Sequence, residues 1–240
     1  MCSTTNQEFQ FCKKNFLSSQ TLNGIEDLKG QLTVCLVDAG FLPLTAEERA
    51  SLNKSRLHQY RRHSFFELPQ RSNVNSDNDL IITSVIGWSF YPKLLTKDGK
   101  GWRNVANNQS ISLHPSSVNK GHPELQWLSY YHIMQAKSFY NAHETTSVPD
   151  FAIALLCGDV KIDVYAGTIV LDGNRARFSI SDWKTMLVIK TLRAKLRELM
   201  TRSFKQPGKA LTGQLVTWFE IWQRIFSQEN LLLAKGFAKE

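Results

Sequence analysis

The sequence predicts an α+β protein: a small β-barrel flanked by an N-terminal helical segment and a C-terminal helical extension. Three observations carry this. Residues 80–159 hold short, aromatic-rich runs broken by Gly, Pro and Asn, the texture of a small closed sheet. Upstream, apolar side chains recur every three or four positions, as on one face of a helix. Beyond residue 181 the same spacing returns in a strongly basic stretch.

In chain order, Glu8 to Leu17 reads as the end of a first helix, and Ser18 or Ser19 as the cap of a second. Leu22, Ile25, Leu28, Leu32, Cys35 and Leu36 mark a face of that second helix expected to be buried, with Ala39 near its end. Gly40 stands where a left-handed C-terminal cap belongs. Thr45-Ala46-Glu47-Glu48 is a capping box opening a third helix. That helix runs into Lys54, Arg56, His58, Arg61, Arg62 and His63, read as a solvated face ahead of a phosphate contact. Residues 69–79 are polar and rich in breakers, hence a linker or exposed loop. After the barrel, residues 161–165 and 168–171 read as a hairpin, followed by a strand over 175–180. Ser181 or Asp182 caps a long helix that Pro207-Gly208 ends. A final helix over about 211–235 carries Leu215, Trp218, Phe219, Trp222, Ile225 and Phe226 as its apolar stripe. The expected division is a helical segment over 1–68, a linker over 69–79, the barrel with its hairpin over 80–180, and the helical extension over 181–240.

A chain of 240 residues has room for a sizeable core, and its 42% hydrophobic and 21% charged residues exclude global disorder. The net charge of +8 favours an anionic partner, nucleic acid ahead of an acidic membrane surface. Residues 182–210 hold +6 of it, in Lys184, Lys190, Arg193, Lys195, Arg197, Arg202, Lys205 and Lys209 against Asp182 and Glu198. On a helical wheel, Ile189, Leu192, Leu196, Leu199 and Met200 form the docking face. Lys190, Arg193 and Arg197 make one basic row, and Lys184, Lys195 and Arg202 another. The N-terminal residues lack a basic-then-apolar signal pattern, and no run approaches the length of a membrane span. Cys2, Cys12, Cys35 and Cys157 are scattered, which reads as reduced thiols of an intracellular protein, cytoplasmic with the nucleus as the alternative.

Chemistry-bearing motifs are few. There is no Gly-x-x-x-x-Gly-Lys-Ser/Thr phosphate loop. His114, His122, His132 and His143 do not have zinc-ligand spacing. Ser116 and Ser117 lack a nucleophile elbow, and the carboxylates form no convincing pair. What remains is a binding surface. Tyr91, Trp102, Tyr130, Tyr131, Phe139 and Tyr140 alternate with Lys93, Lys97, Lys100, Arg103, Lys120 and Lys137. Rings stack on unpaired bases while cations follow phosphates, although about half of the rings are expected to serve the barrel's own core. Lys97-Asp98-Gly99-Lys100 forms an exposed basic turn.

These residues resemble a family. Ile86-Gly87-Trp88-Ser89-Phe90-Tyr91-Pro92, the intact His-Pro-Ser-Ser-Val of His114–Val118, Trp127-Leu128-Ser129-Tyr130 and Leu155-Leu156-Cys157-Gly158-Asp159 together resemble the OB-fold at the C-terminus of DEAH-box RNA helicases. Phe11 to Ser18, Ile25-Glu26-Asp27-Leu28 and Asp38-Ala39-Gly40-Phe41 resemble the end of the helical ratchet domain that precedes it, and the tail resembles the extension of the larger cytoplasmic members. The strand after Tyr130 departs from the family pattern, with His132 for the usual Glu and Asn141 for the usual Arg, while Lys137 and Ser138 fit. The resemblance implies an accessory region that binds single-stranded RNA without chemistry of its own. Lys93, Lys97, Lys100, Arg103 and Lys137 would meet phosphates, while Tyr91, His114, Ser116 and Ser117 would shape the strand's path, with Ser138 also counted among the RNA-binding residues. ATP and Mg²⁺ belong, by the same resemblance, to RecA-like domains whose motifs this sequence does not contain, so no cofactor is expected in this chain. The alternative is a protein-interaction module that docks an activator or ribosomal partner around Trp88, Phe90 and Trp102. Neither reading involves a membrane.

Overall fold

The computed structural model describes residues 3–57, 68–136, 139–173 and 175–227. His58, Arg61, Arg62, His63, Lys137, Ser138 and residues 228–235 of the expected final helix lie outside the described residues. The chain forms two compact units, 1–74 with 202–210, and 75–201 with 211–240.

The first unit holds helices α1 (Ser3–Lys14), α2 (Ser19–Asp38) and α3 (Ala46–Leu57). Ser18 caps α2 by accepting from the Thr21 amide. The capping box forms reciprocally: the Glu48 amide donates to Thr45 Oγ1 and the Thr45 amide to Glu48 Oε2. Arg71 closes on Glu48 in bidentate fashion at 2.6 Å and, with the Thr45 amide, pulls that carboxyl down to about 2. Gly40 adopts φ +78 as the α2 cap requires. The apolar face read from α2's spacing is not buried, however. Leu22, Ile25, Leu28, Leu32 and Leu36 are 37–57% exposed, and the residues that pack are Thr33 and Val37. Periodicity identifies an apolar face; it does not show that a neighbour covers it. In the stretch read as a linker, Gln70–Ser72 makes a 3-10 turn.

The second unit is organised around a five-stranded barrel. Helix α4 (Asp79–Phe90) leads in, capped by the Asn78 side chain, which accepts from the Ile81 amide. Strands β1 (Leu94–Asp98), β2 (Gly101–Asn104), β3 (Ser110–Leu113), β4 (Trp127–Ala136) and β5 (Phe139–Ser147) close in the order β1-β2-β3-β5-β4. All pairs are antiparallel except β3 with β5. Strand alternation fills the interior: Leu95, Trp102, Ile111, Leu113, Leu128, Tyr130 and Ala142 form one buried cluster. Their neighbours Arg103, Ser110 and Ser112 face outward.

Helix α5 (Asp150–Leu156) follows the barrel. The expected hairpin is part of a separate three-stranded antiparallel sheet of β6 (Val160–Asp163), β7 (Thr168–Leu171) and β8 (Ala176–Ser179). Asp182 rather than Ser181 caps α6 (Trp183–Lys205), taking the amides of Lys184 and Thr185. Helix α7 (Gln214–Ile225) completes the unit. Leu80, Ala152, Leu155, Leu192, Leu199, Trp222 and Phe226 form a core joining α4, α5, α6 and α7. Leu94, Val148, Ile153, Cys157, Leu171 and Ala176 form another between the barrel wall, α5 and the small sheet. No helix among the described residues is long and apolar enough to cross a membrane.

Candidate nucleic-acid interface

The outward residues of β2, β3, β5 and β4 make a continuous wall. Arg103 pairs with Ser110, Ser112 with Asn141, and Asn141 with Met134. Small serines at the centre leave the sheet open to close approach, and this is the face on which such barrels take oligonucleotides, together with the β1–β2 and β4–β5 loops. The β1–β2 turn carries Gly99 at φ +57, and Lys100 is exposed at its tip. Lys97 lies opposite Trp102 in the ladder, and its Nζ sits 4.7 Å from the indole centroid. Its ammonium therefore caps the barrel mouth. Arg103 pairs with Asp98 and donates to Asn108 O at 3.2 Å. Lys93 donates to Tyr131 O at 3.0 Å.

These cations gather at one end of β4. The Lys97 amide donates to Gln126 O, so the β1–β2 tip lies beside the start of β4. The far end of β4, at Ala136, is nine residues further along the strand, or about 30 Å of chain at roughly 3.3 Å each. Phe139, at that end, is 66% exposed.

His114, Ser116 and Ser117 form a tight turn, with the Ser117 amide donating to His114 O. Ser116 meets His114 Nδ1 through its hydroxyl at 2.7 Å and its amide at 3.3 Å. Ser117 is tied to β5 through Thr145 Oγ1 at 3.1 Å. The motif thus pins the β3–β4 connection to the wall and orients the His114 ring.

Spacing did not reveal a row of rings beside this turn. His114 and His143 have centroids 4.4 Å apart, His143 and His132 5.0 Å, His132 and Tyr131 5.5 Å, and Tyr131 and Phe90 6.1 Å. The cause is a local interruption of the β4–β5 ladder. Tyr130 and Ile133 both turn inward, so Tyr131 and His132 are both left outside. One residue from each strand, Tyr131 and Glu144, drops out while the register is the same on either side, Tyr130 with Thr145 and His132 with His143, and Glu144 takes φ +46. Glu144 Oε2 lies 3.0 Å from His132 Nδ1, an ion-pair distance, although that nitrogen makes no hydrogen bond.

Tyr91 is placed differently. Its hydroxyl donates to Asp172 Oδ2 at 2.6 Å, and burial together with that carboxylate pushes the phenol's pKa upward. Asp172 Oδ1 accepts from the Asp159 amide at 2.7 Å. A Cβ on Gly158 would lie 2.7 Å from Asp172 Oδ2 and 2.8 Å from the Tyr91 hydroxyl, and Gly158 is at φ +51. Arg193 donates to the carbonyls of Ala154, Cys157 and Gly158, which are left open at the end of α5. The Tyr91 and Gly158-Asp159 motifs are therefore the two halves of one lock.

Arg193 is occupied in that lock, Arg197 pairs with Asp159 at 3.3 Å, and Lys195 pairs with Glu198 at 2.8 Å. The basic rows of α6 are thus partly engaged within the protein. Trp102 is 5% exposed and belongs to the barrel core, so it is no docking anchor.

Residues 82–160 match the family described as oligonucleotide/oligosaccharide-binding (OB)-fold. The chain is 28% identical over 218 residues to the ATP-dependent DNA/RNA helicase DHX36 of Bos taurus, covering 83% of this chain and 19% of the relative. It is 26% identical over 211 residues to the DExH-box ATP-dependent RNA helicase DExH1 of Arabidopsis thaliana, covering 85% of this chain and 19% of the relative. With the human ATP-dependent RNA helicase DHX29 it shares 24% over 224 residues, 93% of this chain and 16% of the relative. The chain spans about a fifth of the length of the relatives it matches. Its barrel is an OB-fold domain, and over most of its length the chain is related to helicases of the DEAH/DExH type, in keeping with the C-terminal region of such a protein.

Proposed function

We propose that this chain is an accessory region of a DEAH-box ATP-dependent RNA helicase and that its barrel binds single-stranded RNA. The observation that carries the reading is the outer wall of β2, β3 and β5: polar, centred on Ser110 and Ser112, with Arg103 and Lys100 along one margin. The mechanism is electrostatic and stacking. Cations follow phosphates, and exposed rings such as Phe139 take unpaired bases. Lys93, Lys97, Lys100, Arg103, His114 and Ser116 border or lie on this wall, and in this reading Lys137 and Ser138 belong to the same RNA contact. Ser117 and Tyr91 act one step back, by fixing the loop and the helix–strand junction. In this reading ATP and Mg²⁺ belong to other parts of a longer helicase. The sequence has no phosphate loop. The site of action would be the cytoplasm, with the nucleus as the alternative.

Titration of labelled single-stranded RNA at rising salt tests this. Binding should weaken along a log–log slope on the order of −2. Lys100→Ala should cost several-fold in affinity and flatten the slope by about 0.7. Equal affinity at low and high salt, or no binding at low salt, would overturn the reading.

A second reading, a protein-docking module for an activator or ribosomal protein, is favoured by the exposed apolar face of α2. Substituting Leu28 or Leu32 with Glu should abolish such docking and leave RNA binding intact.

A further inference from the structure

We infer that the ring row on the outer wall, Tyr131, His132, His143 and His114, extends the contact for single-stranded RNA and makes its grip strengthen as pH falls. The inference rests on the RNA-binding reading of the barrel and adds to it a site and a condition. Imidazole is the side chain whose ordinary titration falls near neutrality.

The row is a built feature. Two consecutive residues, Tyr131 and His132, are turned outward where the β4–β5 ladder is interrupted, and opposite them Glu144 stands at φ +46, a conformation non-glycine residues seldom adopt. Unusual backbone of this kind persists where surrounding structure holds it. The rings it displays meet His143 and His114 at centroid distances of 5.0 and 4.4 Å. His132 and His143 are within 7° of coplanar stacking. The row forms no metal-binding group among the described residues. A line of imidazoles ending in an exposed ring suits a different ligand: a strand of phosphates with bases free to stack. Tyr131, 57% exposed, offers the open face at one end. Ser112 and Asn141 connect the row to the rest of the wall.

The groups facing the row come from four elements. From β5, Glu144 stands 3.0 Å from His132. From the α4–β1 junction, Lys93 stands 5.6 Å from the Tyr131 ring centre. From the connection after β3, the Ser116 hydroxyl and amide meet His114 Nδ1. From α4 comes Phe90, while that helix's one charge, Asp79, is at its opposite end. The sign follows from linkage. A phosphate binds the imidazolium more tightly than the neutral ring, so RNA binding takes up protons and affinity rises as pH falls.

The test is equilibrium binding of labelled single-stranded RNA to the whole chain near pH 6 and near pH 8 at one ionic strength. Affinity should be roughly tenfold higher at the lower pH. In His143→Gln and in His132→Gln that ratio should fall to about twofold or less. A flat profile in the unaltered protein, or the same ratio in both variants, would overturn the inference while leaving the RNA reading standing. Loss of binding at both pH values in low salt would sink the RNA reading and this site with it. Melting of each variant is followed in parallel; should His143→Gln fail to fold, His114→Gln replaces it, and the profile of the unaltered protein decides independently.

Discussion

Gly158 shows how one residue can be fixed by two neighbours. Any side chain there would strike both Asp172 and Tyr91, and the backbone stands at φ +51. Gly158→Ala should therefore destabilise the protein by roughly 2–4 kcal/mol, read as a lowered denaturant midpoint. Tyr91→Phe removes the hydroxyl that is the foremost cause of Asp172's lowered pKa. A carboxylate held below its ordinary 3.8 stabilises the fold above that pH and loses the contribution as pH falls through its folded value. The carboxylate is partly in water, so the variant should lose only about 1 kcal/mol near neutrality. The difference from the unaltered protein should close in strong acid. Thiols offer a third check. Burial pushes the Cys157 thiol up to about 12, whereas Cys35 is exposed. Alkylation of the folded protein near pH 8 should modify Cys35 and spare Cys157. Sequence alone marked Tyr91 and Gly158-Asp159 as motifs, but residues 67 positions apart give no local sign that they meet.

Among the elements, strands were the most legible, because alternation over Trp102-Arg103-Asn104 and Ile111-Ser112-Leu113 reports burial directly. The interruption in β4 was not legible. It breaks that alternation between Tyr130 and Ile133, and the break, invisible as a pattern, is what creates the ring row. Helix α2 failed in the opposite sense. Its apolar spacing is regular, yet Leu28 is 55% exposed. Leu28→Glu should shift stability by no more than about 0.5 kcal/mol, where a buried leucine would cost several. Helix α4 is held closely: a Cβ at Gly87 would lie 2.4 Å from Val148 Cγ1. Gly87→Ala should cost roughly 1–3 kcal/mol through overpacking.

At the scale of the whole molecule, the +8 charge pointed towards a polyanion, and its concentration in 182–210 pointed towards α6. The structure engages Arg193, Lys195 and Arg197 within the protein and leaves the barrel wall polar and open. Net charge counts residues without regard to their partners, so it favours a kind of partner without naming the surface that meets it. The account's central claim is that RNA lies across β2, β3, β5 and β4. Ultraviolet cross-linking of single-stranded RNA to the protein, with the attached peptides identified by mass spectrometry, tests it most directly. Cross-links should fall in peptides spanning 99–116 and 130–144; cross-links confined to α6 and α7, with the barrel wall unmarked, would contradict it.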